Sequence, residues 1–192
     1  LDERPFLEKV RGFCQLVEDR YSPYLTDFLN PREIQIVKDL ANYYNLKFFV
    51  SSTFDNEEYG RVILAPDYYE LDEDDFEIKR LEISYARQFN KLTHPKILGA
   101  LLNQLGLERQ VFGDVILDEE GRVQFNIASH LASYAIMTIT KIGRVSVTLR
   151  EVSKDDWISN QEKYSQSFVL LSSMRLDNVL STVLKISRSN AL

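Results

Sequence analysis

The residues whose type and order point most directly to chemistry lie in the C-terminal run Met174-Arg-Leu-Asp-Asn-Val-Leu-Ser-Thr-Val-Leu-Lys-Ile-Ser-Arg-Ser-Asn-Ala-Leu192. Arg175 and Arg188 carry planar guanidinium forks, which suit bidentate bonding of phosphate oxygens, and Lys185 adds a compact point charge. Leu176, Val179, Leu180, Val183 and Leu184 fall on one face at helical spacing, so Arg175 opens a short amphipathic helix. Asp177 stands in its first turn, where the helix dipole favours a carboxylate and an arginine can pair with it. Ser187 can cap a second helix whose first turn presents Arg188. Taken singly, each residue fits an ordinary helix with solvated charges; their order favours a phosphate-facing surface. The loop residues Lys91, Thr93, His94, Lys96 and Arg109 form a second candidate patch.

Other chemistries are poorly served. The glycines, at 12, 60, 99, 106, 113, 121 and 143, are never closer than seven positions. That spacing forbids a dinucleotide G-x-G-x-x-G, a Walker loop and a KH-type G-x-x-G. With 1 Cys and 2 His, a structural Cys/His zinc site within the chain is excluded. There is no G-x-S-x-G nucleophile elbow. His94 and His130 each stand near a predicted helix start, where histidine is usually solvent-facing or locally hydrogen-bonded. The 29 Asp and Glu make chance carboxylate pairs unavoidable, so none is assigned. No catalytic residue, cofactor or metal is expected.

At 192 residues the chain suits one large domain, or two small ones and a fragment. A hydrophobic content of 44% supports packed cores, and no apolar run reaches the length of a membrane span. No signal peptide is visible, and the missing initiator Met suggests that a few residues were trimmed. The single cysteine, Cys14, excludes an internal disulfide, reads as a core thiol and fits a reducing cytoplasm. A net charge of −6 argues against indiscriminate nucleic-acid binding. Its distribution is uneven: from Lys141 onward eight Lys/Arg face five Asp/Glu, a net of +3 that leaves −9 for the rest. This polarity suits an RNA-facing C-terminus.

The elements that must position these residues follow from periodicity. Residues 3–21 form a helix with Phe6, Leu7, Val10, Phe13, Cys14, Val17 and Tyr21 in one stripe. A second helix starts with Asn30 as cap and Pro31 at its first position, burying Ile34, Val37, Leu40, Ala41 and Tyr44. Residues 46–54 and 61–65 read as strands of a hairpin ended by Pro66. The acidic stretch 72–75 lacks a calcium loop's ligand pattern and is expected to be a solvated linker. From Lys79 onward the order is a strand on Leu81, Ile83 and Tyr85, a helix over 93–105 ended by Gly106, strands at 115–117 and 123–127, a helix from Ser129 as cap to about Ile139, and a strand on Val145, Val147 and Leu149. That is β-α-β-β-α-β, the split βαβ or ferredoxin-like plan shared by RRM-like modules. Tyr85 and Phe125 fall in the core set, so the base-stacking signature is missing; Arg80, Glu82, Ser84, Arg122, Gln124 and Asn126 form the opposite face. A connector with Trp157 as anchor and a short strand at 168–171 precede the terminal motif.

The pattern R-L-D-x-x-L, a gap, then S-R-x-x-A resembles the opening of the alpha-L, S-four-type RNA-binding motif, of which about half is present. A half hairpin cannot bury its own apolar face, so the terminal stretch is expected to be poorly ordered. Thr93-His-Pro-Lys-Ile-Leu-Gly-Ala-Leu-Leu, Leu105-Gly-Leu-Glu-Arg-Gln-Val-Phe-Gly-Asp-Val115, Arg175-Leu-Asp and Ser187-Arg together resemble the YlmH family of bacterial RNA-binding proteins, over essentially the whole chain. The family pattern has His-Arg-Asp where this chain has His94-Pro95-Lys96, so no family role passes to those two replaced positions. The expected fold is α+β: an N-terminal helix and β-hairpin domain over 1–75, a ferredoxin-like RNA-binding domain over 76–152, a connector over 153–172 and an incomplete alpha-L motif over 173–192. The resemblance implies a noncatalytic, cytoplasmic, ribosome-associated protein that binds rRNA, or tRNA on the ribosome, without membrane insertion and with a link to cell division. In the motif, Arg175, Asp177, Lys185, Ser187 and Arg188 would form the RNA surface. The alternatives are an RNA-modifying enzyme of the pseudouridine-synthase type, a protein–protein adaptor in cell division, and, by fold analogy alone, an acylphosphatase-like hydrolase.

Overall fold

A computed structural model of the chain describes residues 3–55, 57–106, 108–158, 168–171, 173–185 and 187. The chain divides into two compact units, Leu1–Asn160 and Gln161–Leu192. The first begins with α1 (Arg4–Arg20), which carries Pro5 in its first turn and buries Val10, Cys14 and Val17. It ends at Tyr21, in the left-handed region at φ 47°. Next comes β1 (Tyr24–Leu29), a strand that the sequence reading does not anticipate. α2 (Pro31–Tyr43) starts with a capping box: the Asn30 side chain accepts from the Glu33 amide at 3.0 Å, and the Asn30 amide donates to Glu33 Oε2 at 2.9 Å.

The expected strand over 46–54 is shorter: β2 covers Lys47–Val50, and Ser52–Asp55 turns into a short helix, α3. β3 (Gly60–Ala65) lies between β1 and β2, antiparallel to both, and is buried throughout. Because strand side chains alternate, Val62 and Leu64 face α1 and α2, where they close a core with Val10, Cys14, Leu29, Val37 and Ala41. Ile63 and Ala65 point the other way, onto Phe76.

The acidic stretch is not a solvated linker. Asp72 and Asp75 form a capping box around a 3₁₀ turn, Glu73–Phe76, whose Phe76 is buried. The buried Arg61 guanidinium secures it by donating to the carbonyls of Thr26 at 2.8 Å, Phe76 at 3.0 Å and Glu77 at 3.1 Å. Burial lowers the pKa of Arg61, against the opposing fields of Glu77 and Asp27.

The middle of the chain is α+β in the expected order. β4 (Ile78–Ser84), α4 (His94–Leu105), β5 (Phe112–Leu117), β6 (Val123–Ala128), α5 (Ser129–Thr138) and a last strand build a four-stranded antiparallel sheet in which β5, β6, β4 and the last strand are neighbours in turn. This is the split βαβ arrangement. Its core joins Leu81, Ile83, Phe125 and Ile127 to Ile97, Leu101 and Leu105 of α4 and Ala132 and Ala135 of α5. Gly106 ends α4 at φ 61° and donates to the Leu102 carbonyl at 3.1 Å.

Two local expectations fail. Ser129 is the first residue of α5 rather than its cap, and its amide donates to the Glu77 carbonyl at 2.8 Å. The alternation at Val145, Val147 and Leu149 is not one strand. Lys141–Ile142 (β7) and Val145–Ser146 (β8) pair as a separate two-stranded hairpin, and only Thr148–Glu151 (β9) joins the main sheet. The two-residue turn between β7 and β8 explains it: Gly143 takes φ 58° and folds the chain back at a point where periodicity alone reads straight on.

In the second unit, Phe168–Leu171 carries no strand; Phe168 and Leu170 are fully exposed. α6 (Leu176–Leu184) forms at the predicted place. Its apolar stripe is largely open: Leu176 is 72% exposed, Val183 49% and Leu184 58%. No helix among the described residues is long and apolar enough to cross a membrane.

Candidate nucleic-acid interface

Three basic surfaces bear on nucleic-acid binding. The first is α6. Arg175 immediately precedes the helix, and its carbonyl accepts from the amides of Asn178 and Val179, each at 3.0 Å. Its guanidinium Nε donates to Asp177 Oδ1 at 3.1 Å while the side chain stays exposed. Asp177 thus sits in the first turn, beside the helix N-terminus and the arginine. Asn178 is buried and fixes the approach to the helix by donating to the Ser173 carbonyl at 2.8 Å. Lys185 ends α6 in the left-handed region at φ 54° and is exposed, as is Ser187. Arg188 lies outside the described residues.

The second surface is the sheet face opposite α4 and α5, where an RRM-like module would lay its bases. Here it is covered. Arg80 and Glu57 are each only 2% exposed and form an ion pair. Arg80 Nε donates to Asn126 Oδ1 at 2.9 Å, and Asn126 Nδ2 donates to Glu57 Oε2 at 2.8 Å. The Trp157 ring stacks on the Arg80 guanidinium at 4.0 Å, and the Ile158 carbonyl accepts from it at 3.2 Å. Along the same face, Glu82 accepts from Arg122 at 2.7 Å, Gln124 at 2.9 Å and Arg150 at 3.1 Å. Burial pushes the Glu82 carboxyl up, but these three donors and the Arg122 charge prevail and hold it down at about 2. Phe125 is fully buried on the core side, and Tyr85 donates its hydroxyl to the Gly121 carbonyl, so neither offers a stacking platform. The polar sheet face is therefore not an open contact surface.

The loop that brings Glu57 is held at further points. Asp114 Oδ2 accepts from the amides of Glu58 at 2.6 Å and Tyr59 at 3.2 Å. The Tyr59 ring lies 4.1 Å from the Arg109 guanidinium, which also donates to the Phe112 carbonyl. Phe28 of β1 packs so closely on Gly113 that a Cβ there would stand 2.9 Å from its ring. Nothing in the run Asp55-Asn-Glu-Glu-Tyr-Gly60 marks Glu57 as a buried partner; only the fold reveals it.

The third surface is an open groove between α4 and the β7–β8 hairpin. It is lined by Lys91, Lys96, Gly99, Gln104, Gly143 and Arg144 among others, and by no carboxylate. None of its three cations has an ion-pair partner among the described residues. Thr93 and His94 are exposed beside it at the start of α4, where the Thr93 side chain makes no capping bond. Four of the five residues proposed as a second patch, Lys91, Thr93, His94 and Lys96, are thus neighbours. Arg109 is parted from them by the whole of α4, roughly 18 Å of helix, and is engaged with Tyr59. Arg144 takes a place that sequence reasoning missed; Gly143 between Ile142 and Val145 was the signal for the turn that delivers it.

Among the described residues no group of three or more His, Cys, Asp or Glu is placed to hold a metal ion. Comparison with known proteins adds two family models. Residues 2–69 match one described as "YlmH, N-terminal", and residues 72–156 match one described as "Putative RNA-binding domain in YlmH". A Bacillus subtilis protein named "Ribosome-associated protein quality control protein P2" is 31% identical over 190 residues, covering 99% of this chain and 73% of its own length. A solved structure, "Cell division protein ylmH from Streptococcus pneumoniae", aligns with a TM-score of 0.73 at 43% identity, over 82% of this chain and 94% of that one.

Proposed function

The chain belongs to the YlmH family, and from that premise we propose that it is a noncatalytic RNA-binding protein acting on the ribosome. The observation that carries this reading is the match of residues 72–156, the ferredoxin-like sheet with its two helices, to the family's RNA-binding domain. The ribosome-associated name of the Bacillus relative supports the particle as the target. Docking is to structured ribosomal RNA, or to tRNA held there, through shape and phosphate contacts, and the site of action is the cytoplasm.

In this mechanism Arg175 and Arg188 grip phosphates with their forks, Lys185 adds charge, and Ser187 completes the RNA-facing set. Asp177 restrains the Arg175 guanidinium in the absence of RNA. The test is co-sedimentation with ribosomes across a salt series, with an Arg175→Ala/Arg188→Ala double variant alongside. Salt-sensitive co-migration that the variant loses is the expected result; co-migration indifferent to both salt and variant would refute phosphate docking by this motif.

The name of the Streptococcus pneumoniae structure favours a second reading, an adaptor in cell division. RNA-independent, salt-insensitive capture of a division protein would support that reading over the first. Conversion of uridine in bulk RNA by the purified protein would overturn the noncatalytic assignment in favour of a pseudouridine-synthase type of enzyme.

A further inference from the structure

Resting on the reading of the chain as an RNA binder, we propose that the groove between α4 and the β7–β8 hairpin is an RNA phosphodiester-backbone site whose cations are Lys91, Lys96 and Arg144. Three positive side chains meet in one concavity with no carboxylate in its lining, in a chain whose net charge is −6. A cleft lined by one sign of charge focuses its field outward and gathers counter-ions. Solvated surface lysines are ordinary; what sets this cluster apart is convergence without neutralisation. Elsewhere in the same domain Lys79, Arg122, Arg150 and Lys154 each meet a carboxylate, Arg87 and Arg109 donate to backbone carbonyls, and Lys141 stands outside the groove's lining.

The groove is also built to keep its shape. Leu92 on one wall and Ile142 on the other are buried in the domain core. Gln104 of α4 donates its side-chain amide to the Lys141 carbonyl of β7, which ties the two walls together. Gly143, at φ 58° in the two-residue turn, sets Arg144 at the hairpin tip. Gly99 leaves open space: nothing lies within 4 Å of where its Cβ would stand. No aromatic side chain lines the groove, so it offers a track for sugar and phosphate and no platform for bases. Binding there is accordingly indifferent to sequence, and the specific contacts are left to other surfaces.

The experiment is fluorescence anisotropy of the full chain with labelled single-stranded RNAs of two unrelated sequences, across a potassium chloride series. The variants are the triple Lys91→Gln/Lys96→Gln/Arg144→Gln, the single Gly99→Glu and the single Arg175→Ala. The triple variant should bind both RNAs about tenfold more weakly, with a log–log salt slope reduced by about two units, since each phosphate contact on a single strand contributes roughly 0.7. Gly99→Glu sets a carboxylate in open space and replaces a poor helix former with a better one, so the fold should hold while RNA binding falls. Wild-type affinity and slope in both variants would overturn the groove assignment. If Arg175→Ala still weakens binding in that case, the RNA reading stands without the groove. If the wild-type chain binds neither RNA at low salt, the groove assignment falls, while docking to structured RNA is decided separately by the ribosome co-sedimentation. A polyglutamate peptide that competes as well as RNA of equal charge would overturn the assignment to RNA.

Discussion

The middle domain carries two sets of three cations, and they keep different company. Arg80, Arg122 and Arg150 lie on the sheet face, where the RRM-like plan would place its RNA, and each is bonded to a carboxylate of the chain itself. Lys91, Lys96 and Arg144 lie at the other side of the fold's chemistry, in a groove without acids. A count of basic residues would rank the two regions equal. Their energetics differ: the first set fastens the N-terminal sheet and the 154–158 segment onto the domain, while the second leaves its charge for something outside the chain. The position of a cation in a familiar fold therefore says less about binding than whether its charge is already neutralised.

The largest effect that can break this comparison is at the buried pair. Glu57→Ala strands the Arg80 guanidinium in a site that is 2% exposed, and should destabilise the protein by about 3–5 kcal/mol in urea unfolding. A change under about 1 kcal/mol would mean that the sheet face opens readily, and the contrast with the groove would collapse. Next comes Gly113→Ala, which forces its Cβ against Phe28 and Asn126 and should cost about 1–3 kcal/mol by the same measurement.

Distinct in kind, because it shows itself only in acid, is the titration of Glu82. Its folded pKa of about 2 lies below the ordinary 4.5. A carboxyl depressed by folding stabilises above its unfolded value, and that stabilisation is lost as pH falls through about 4.5 towards 2. Thermal melts across that range should show an acid-side loss that Glu82→Gln reduces. The smallest stability effect belongs to the groove: neutralising Lys91, Lys96 and Arg144 together should leave unfolding within about 0.5 kcal/mol of wild type, because no carboxylate among the described residues pairs with them.

Much of this fold was legible from local signals. The Asn30-Pro31 start of α2, the stripe of α1, the Gly106 stop of α4 and the β-α-β-β-α-β order all come from periodicity and capping, and all are present. What escaped was set by partners distant in sequence. β1 shows no regular alternation, its register with β3 shifting between Leu25 and Phe28, and it exists because β3 pairs with it. The 72–75 acids look like a linker until Arg61 is seen holding the turn behind them. The site shows the same division. α6 could be placed from its stripe, and Lys91 and Lys96 from their proximity to a helix start. Arg144 needed the β7–β8 turn, and the closure of the sheet face needed Glu57 to cross 23 residues to Arg80.

Cys14 is the chain's 1 cysteine, is wholly buried between α1 and the N-terminal sheet, and has its thiol pushed up to about 11 by burial. It therefore acts as a built-in clock. An alkylating reagent can reach it only during excursions in which α1 leaves the sheet, so at fixed pH the labelling rate reads how often that layer opens. Native protein should label orders of magnitude more slowly than urea-unfolded chain. Glu57→Ala, if it loosens the N-terminal layer as well as the sheet face, should make the clock run faster without altering the thiol's own surroundings.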